Sequence, residues 1–274
     1  YLHNQKYKGK YEKWQSKREY LTPHKPSQLD LELKQDSDPN YRVFNTAMRL
    51  DQDSRTSYFH KSLGGYHGAK LKRYQELIDM HLGRGNRQVM NMLNTKYYLV
   101  QGQDGQQEGR LNPDALGHAW FVDDYKLVAN ADSEITSLSD FDPSKICIVD
   151  TRFKDQLAGI EMSKNGSIKL DSYKPNHLVY TTNAPSDQLA VFSEIYYDKG
   201  WDMYIDGVEQ PYLRCNYVLR GAKIPQGKHT VEFKFHPSSY FVGNKIALLS
   251  SILLLAFVSF VAFKEFKLYT TREL

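Results

Sequence analysis

The densest stretch of chemically capable side chains is SYFHKSLGGYHGAKLKRY, residues 57–74. It gathers His60, Lys61, His67, Lys70 and Arg73 within 14 positions. His67, Lys70 and Arg73 recur every three residues, so on a helix they share one cationic face. Near a helix N-terminus, free N–H groups and the positive end of the dipole add to that charge, an arrangement suited to a phosphate or pyrophosphate. The plainer reading, a solvated basic face, stays open. Gly64-Gly65 serves either a close backbone approach or a turn.

A second constellation is KGWDMYIDG, residues 199–207. Trp201 and Tyr204 offer aromatic faces on which a sugar ring could stack, although a tryptophan within a sandwich more often belongs to the core. Other chemistries lack their patterns. No G-x-S-x-G, H-E-x-x-H or G-x-x-x-x-G-K-[ST] occurs. Asp123-Asp124 and Asp140/Asp142 lie in loop-like sequence with nothing to set them opposite one another, so glycosidase chemistry has no support. His229 and His236 are seven apart and fall on opposite faces of one strand, a poor metal pair, and no cofactor is expected in this chain. Cys147 and Cys215 form no C-x-x-C pair and read as buried free thiols, with a disulfide as the alternative.

The elements that must position these groups follow from periodicity. Residues 1–40 are polar and basic with Pro23, Pro26 and Pro39, and read as a linker. Tyr41–Asn45 reads as a strand, 54–66 as a loop, and 67–82 as a helix whose Leu71, Tyr74, Ile78 and Leu82 form one apolar stripe. A short helix over 86–93, a strand at 97–100, an exposed loop over 101–112 and strands at 119–122, 125–128 and 145–149 follow, with a helical turn at 132–137. Beyond about 158 the pattern becomes short strands and turns. Val231, Phe233 and Phe235 alternate with polar neighbours, the period of a half-buried strand, and Asp206-Gly207 signals a tight hairpin. The expected fold class is α+β: a mixed α/β subdomain over 41–157, a β-sandwich over 158–241, a transmembrane helix over 242–264 and a cytoplasmic tail over 265–274.

Ile246–Phe263 (IALLSSILLLAFVSFVAF) carries no charge, Pro or Gly. As a helix it spans about 27 Å, close to a hydrocarbon core. Lys245 and Lys264 bracket it, and Tyr240 and Phe241 precede it as interface aromatics do. The net charge of +4 is uneven: residues 1–25 sum to +5 and the rest to −1. A uniformly basic nucleic-acid binder is therefore not indicated, whereas membrane lipid is an expected partner. The sequence opens on Tyr1 without a leader pattern, so it is expected to be the C-terminal part of a longer membrane protein.

Three stretches carry a family resemblance: SYFHKSLGGYHGAKLKRYQELID (57–79), NMLNTKYYLV (91–100) and GWDMYIDGVEQPYLRCNYVLRGAKIPQGKHTVEFKFHPSSYFVG (200–243). In order and spacing they resemble the C-terminal part of the bacterial YfhO-type membrane proteins. The resemblance implies a multi-pass protein of the GT-C glycosyltransferase type in the bacterial cytoplasmic (inner) membrane, its main domain extracytoplasmic. Such a protein is expected to move a sugar from a polyprenyl-phosphate donor to a cell-envelope glycan acceptor. Its catalytic acid is expected on a loop between early membrane helices, so no catalytic residue maps onto this chain. The resemblance also implies a partner in the N-terminal transmembrane part of the same protein. The alternative is a non-enzymatic, membrane-anchored module that binds glycan or protein.

Overall fold

A computed structural model describes residues 25–66, 68–161 and 165–272, with side chains described as far as Lys267. In chain order the elements are α1 (Gln28–Leu33), β1 (Arg42–Asn45), α2 (Ser54–Phe59), α3 (Lys72–Met80), α4 (Arg87–Met92), β2 (Thr95–Gln101), β3 (Gln107–Leu111), β4 (Ala119–Phe121), β5 (Asp124–Val128), α5 (Ala131–Ser137), β6 (Ile146–Asp150), β7 (Ser167–Lys174), β8 (His177–Ala184), β9 (Gln188–Ile195), β10 (Trp201–Ile205), β11 (Val208–Gln210), β12 (Leu213–Cys215), β13 (Leu219–Ile224), β14 (Gly227–Phe235) and α6 (Ser238–Arg272). They form a small sheet ordered β1-β2-β3, a six-stranded sheet β4-β9-β13-β12-β6-β5 and a five-stranded antiparallel sheet β11-β10-β14-β8-β7. The mixed α+β content, the sandwich and the final apolar helix are as the sequence leads one to expect.

The two larger sheets pack face to face. Tyr180 of β8, Phe192 of β9 and Phe233 of β14 are fully buried and meet edge to face, with centroids 5.0 to 6.3 Å apart. Each such contact adds about 1 kcal/mol beyond the area it buries. β9 shows why its sequence is a nearly unbroken apolar run. Ala190 and Phe192 face the sandwich, whereas Leu189 and Val191 face a second core. That second core is roofed by Leu77 and Ile78 of α3, Val89 and Met90 of α4 and Ile135 of α5. The six-stranded sheet is thus a middle layer covered on both faces, and a strand there has no wet side to alternate toward.

This sheet takes β4, β5 and β6 from before residue 157 and β9, β12 and β13 from after it. The sandwich is therefore not confined to 158–241. Short runs reveal that strands exist, but not which distant strands they join. Four local features also differ from the sequence reading. Within the expected linker, Ser27 and Asp30 form a reciprocal capping box that starts α1, while residues 1–24 lie outside the described residues. Asp53 accepts the Thr56 N–H at 3.0 Å and turns the expected loop into α2. β3 occupies the expected loop 101–112; it is exposed throughout, so it shows no apolar alternation. The helix expected over 67–82 begins only at Lys72, capped by Leu71 without a side-chain bond.

α6 leaves the five-stranded sheet directly: only His236 and Pro237 separate it from β14. Its stretch Ser238–Lys267 is long and apolar enough to cross a membrane, and its most apolar 18-residue window is 0% buried. The junction is packed against the sheet. His236 stacks on Phe241 at 3.8 Å, and its N–H donates to the Gly200 carbonyl at 2.6 Å. Gly200 has φ 106, and an added Cβ would lie 2.7 Å from Pro237. Both the conformation and the space demand glycine. Gly200→Ala should therefore lower stability by about 2–4 kcal/mol, read by denaturation of the detergent-solubilised chain. Gly243→Ala, whose added Cβ meets nothing within 4 Å, should be near neutral.

Candidate functional site

The described members of the basic cluster are spread apart. His60 is held by Asp30, Nε2 to Oδ1 at 2.8 Å, with its side chain 2% exposed. Lys61 donates to the Pro39 carbonyl at 2.7 Å and to Asn40 at 3.0 Å, and lies 3.5 Å over the Tyr173 ring. Burial lowers its pKa to about 8, against the pull of Glu194. His67 lies outside the described residues. Lys70 precedes α3 rather than riding on it, so a helical face shared with Arg73 does not form. Trp201 and Tyr204 stand three apart on β10, and a strand places such residues on opposite faces. Trp201 packs on Phe235 and beneath the Arg220 guanidinium, 4.2 Å away, while Tyr204 lies under Lys234. The two rings do not form one platform.

Arg73 leads to a different site. At the start of α3, its Nη1 donates to Glu134 Oε2 at 3.0 Å and to the Tyr217 carbonyl at 3.3 Å, and its guanidinium lies 4.4 Å over the Tyr217 ring. Glu134, on α5, is wholly buried. It also accepts the Tyr217 N–H at 3.1 Å and has Arg214 Nη2 at 3.8 Å. The turn that delivers Tyr217 is costly. Asn216 and Tyr217 both sit in the left-handed region, at φ 44 and φ 71, a cost on the order of 1–3 kcal/mol each. Two bonds hold the turn to β6: Asn216 N–H to the Ile148 carbonyl, and Ile148 N–H to the Asn216 side chain, both 2.8 Å.

These groups border a pocket of about 280 Å³ between the start of α3, the loop after β9 and the β12–β13 turn. Leu71, Tyr196, Tyr197 and Val218 supply apolar and aromatic wall; Lys72, Arg73, Asp198 and Arg214 supply charge. Behind it, Arg152 pairs with buried Asp150 at 2.9 Å. Burial raises the Glu134 pKa even though Arg214 and Arg73 pull it down, and burial lowers that of Arg214 even though Glu134 supports its charge. Desolvation thus outweighs attraction on both sides, as is common for enclosed ion pairs. The Nε and Nη2 atoms of Arg214 are buried and have no hydrogen-bond partner. Chemically, the arrangement favours binding an anion over acid–base work, because the Glu134 oxygens are already engaged. Among the described residues no group of three or more His, Cys, Asp or Glu is placed to hold a metal ion.

Of this site, the sequence reading had found only Arg73. Glu134 lies in a short polar run and Arg214 in a strand-like one, and neither stands out by spacing. The available signal was an arginine flanked by Leu213 and Cys215, a charge in an otherwise strand-like segment.

The pocket also has a place relative to the apolar helix. Tyr197 is three residues from Gly200, which is bonded to the root of α6, so about 10 Å of chain at most separates them. The chain thus joins a sheet-rich domain to one helix long and apolar enough to cross a membrane, the arrangement of a membrane-anchored domain. The family described as "Bacterial membrane protein YfhO" matches residues 145–247. The uncharacterized protein YfhO of Bacillus subtilis (strain 168) is 25% identical over 87 residues, 32% of this chain. The matched stretch spans only 10% of that relative's length. No solved structure matches. Together these similarities support assignment of the chain to the YfhO-type family of bacterial membrane proteins.

Glu134→Gln tests the electrostatics of the site. Removing the carboxylate leaves Arg73 and Arg214 facing each other with their enclosed partner gone. Stability should fall by about 3 kcal/mol, measured by chemical denaturation. Adding Arg73→Met should recover part of that loss.

Proposed function

We propose that this chain is the extracytoplasmic, membrane-surface domain and last span of a GT-C-like envelope glycosyltransferase. In this reading the full protein takes a sugar from a polyprenyl-phosphate carrier and passes it to an envelope glycan. The domain contributes binding, while the catalytic acid lies elsewhere in the protein. One observation carries the proposal: a pocket with a cationic and aromatic lining lies within a few residues of chain from the root of a helix long and apolar enough to cross a membrane, and on this reading it stands beside the lipid surface where a carrier-linked sugar resides. The interface supports the same placement. Tyr240 and Phe241 are exposed at the start of α6, and Lys245 follows within two turns, where lipid headgroups accept both aromatic and basic side chains. The tail with Lys264 and Lys267 then lies on the cytoplasmic side.

The test uses the full-length protein in proteoliposomes with a labelled polyprenyl-phosphate sugar and envelope glycan. Transfer is expected to need residues 238–272: without them the remaining spans should stay in the membrane fraction, but the domain loses its own anchor and transfer should fall to background. A folded, membrane-inserted protein that transfers no sugar from any of the common carrier-linked donors would contradict the enzymatic reading and favour a binding module.

A further inference from the structure

We propose that the pocket beside Arg214 is a binding site for an anionic sugar, with the oxyanion on Arg214 and the sugar ring against Tyr197. The reasoning starts from what the fold leaves unused. Arg214 carries two adjacent nitrogens, Nε and Nη2, without hydrogen-bond partners, and its side chain is 11% exposed. These two form the edge of a guanidinium that meets two oxygens of a phosphate or carboxylate side by side. Glu134 does not fill that role, because at 3.8 Å it lies beyond hydrogen-bond distance from Nη2. Folding alone does not explain why a desolvated arginine with an idle edge should sit there. Native proteins pair nearly all buried polar groups, and exceptions mark a missing ligand, ion or water.

Three further features agree. Tyr217, in a left-handed conformation, lines the pocket and follows Asn216, which is also left-handed; such strain concentrates at binding sites. Charge around the pocket is mixed but leans positive. Arg73, Arg152 and Arg214 face Glu134 and Asp150, Lys72 pairs loosely with Glu76 at 3.7 Å, and Asp198 pairs with Lys199 at 3.7 Å. The walls suit a sugar: Tyr197 is 40% exposed at the rim, next to the apolar Leu71. Aromatic faces pack against the C–H face of a pyranose, while the arginine fixes its anionic group. Phe153 and Tyr196 have ring centroids 5.7 and 5.8 Å from the Arg214 guanidinium, and in the proposed complex ligand entry turns Tyr196 aside.

The site deepens the membrane-surface reading above and rests on it for why such a sugar would be present. It is tested without relying on transfer. The full chain in nanodiscs is titrated with glucose 1-phosphate, glucuronate and glucose, and binding is followed by calorimetry. At least one of the two anionic sugars should bind about tenfold or more tighter than glucose, and preference between them tells phosphate from carboxylate. Arg214→Lys keeps the charge but loses the fork, and should weaken that binding about tenfold or more. Tyr197→Ala lies at the exposed rim and should weaken it without changing the melting temperature. Equal binding of all three sugars, no binding of any, or unchanged affinity in folded Arg214→Lys would overturn the site. Should Arg214→Lys not fold, unchanged affinity in Tyr197→Ala overturns it instead. Liposome retention of the same sample depends on α6 and not on this pocket, so failure of the site and failure of the membrane reading give different results.

Discussion

Helix α6 presents apolar side chains on every side and buries none of its most apolar window against the rest of the chain. Water is a poor solvent for such a surface at about 25 cal/mol per Å², and lipid is the environment that removes the cost. Everything else inherits its position from this constraint. Two residues connect α6 to β14, an interior strand of the five-stranded sheet, and β14 is paired along its length with β8 and β10. A helix fixed in a bilayer therefore fixes the sandwich end that carries Trp201, His236 and the loop from Tyr196 to Gly200. The opposite end, with the Asp206-Gly207 hairpin, points away.

Charges are buried near this end at an electrostatic cost. Glu134 and Arg214 are both penalised by burial, and two left-handed residues complete the turn above them. The sandwich itself is built cheaply, from interlocking rings and period-two strands. The contrast separates the part of the chain that makes it stable from the part that makes it specific. A site that costs stability is a natural place for binding, and Arg214 carries two buried nitrogens there without hydrogen-bond partners.

Much of the scaffold was legible because its signals are local. The uncharged run of Ile246–Phe263 needs only composition, and the alternation of Val231, Phe233 and Phe235 needs only period two. Asp206 and Gly207, at φ 51 and 81, form the tight turn that their dipeptide announces. The site was mostly hidden because its contacts are long-range. Arg73 meets Glu134 across 61 positions, and the Tyr217 N–H meets Glu134 across 83. No window of sequence contains such pairs. His60 illustrates the same point, since its partner Asp30 lies in a stretch that reads as linker. The pairing of Trp201 with Tyr204 fails for a reason that was visible: three positions along a strand change faces. A pocket cannot be assembled from aromatics by proximity in sequence alone.

The central claim is that the β10–β14 end and its pocket lie at the lipid surface. Spin labels at Tyr197 and Val208 flank opposite ends of β10, whose five residues span about 13 Å at about 3.3 Å per residue. The native cysteines are buried and leave these positions for selective labelling. In proteoliposomes with a relaxation agent chelated to lipid headgroups, the label at position 197 should relax strongly and that at 208 weakly. Equal relaxation, or the reverse order, would contradict the account.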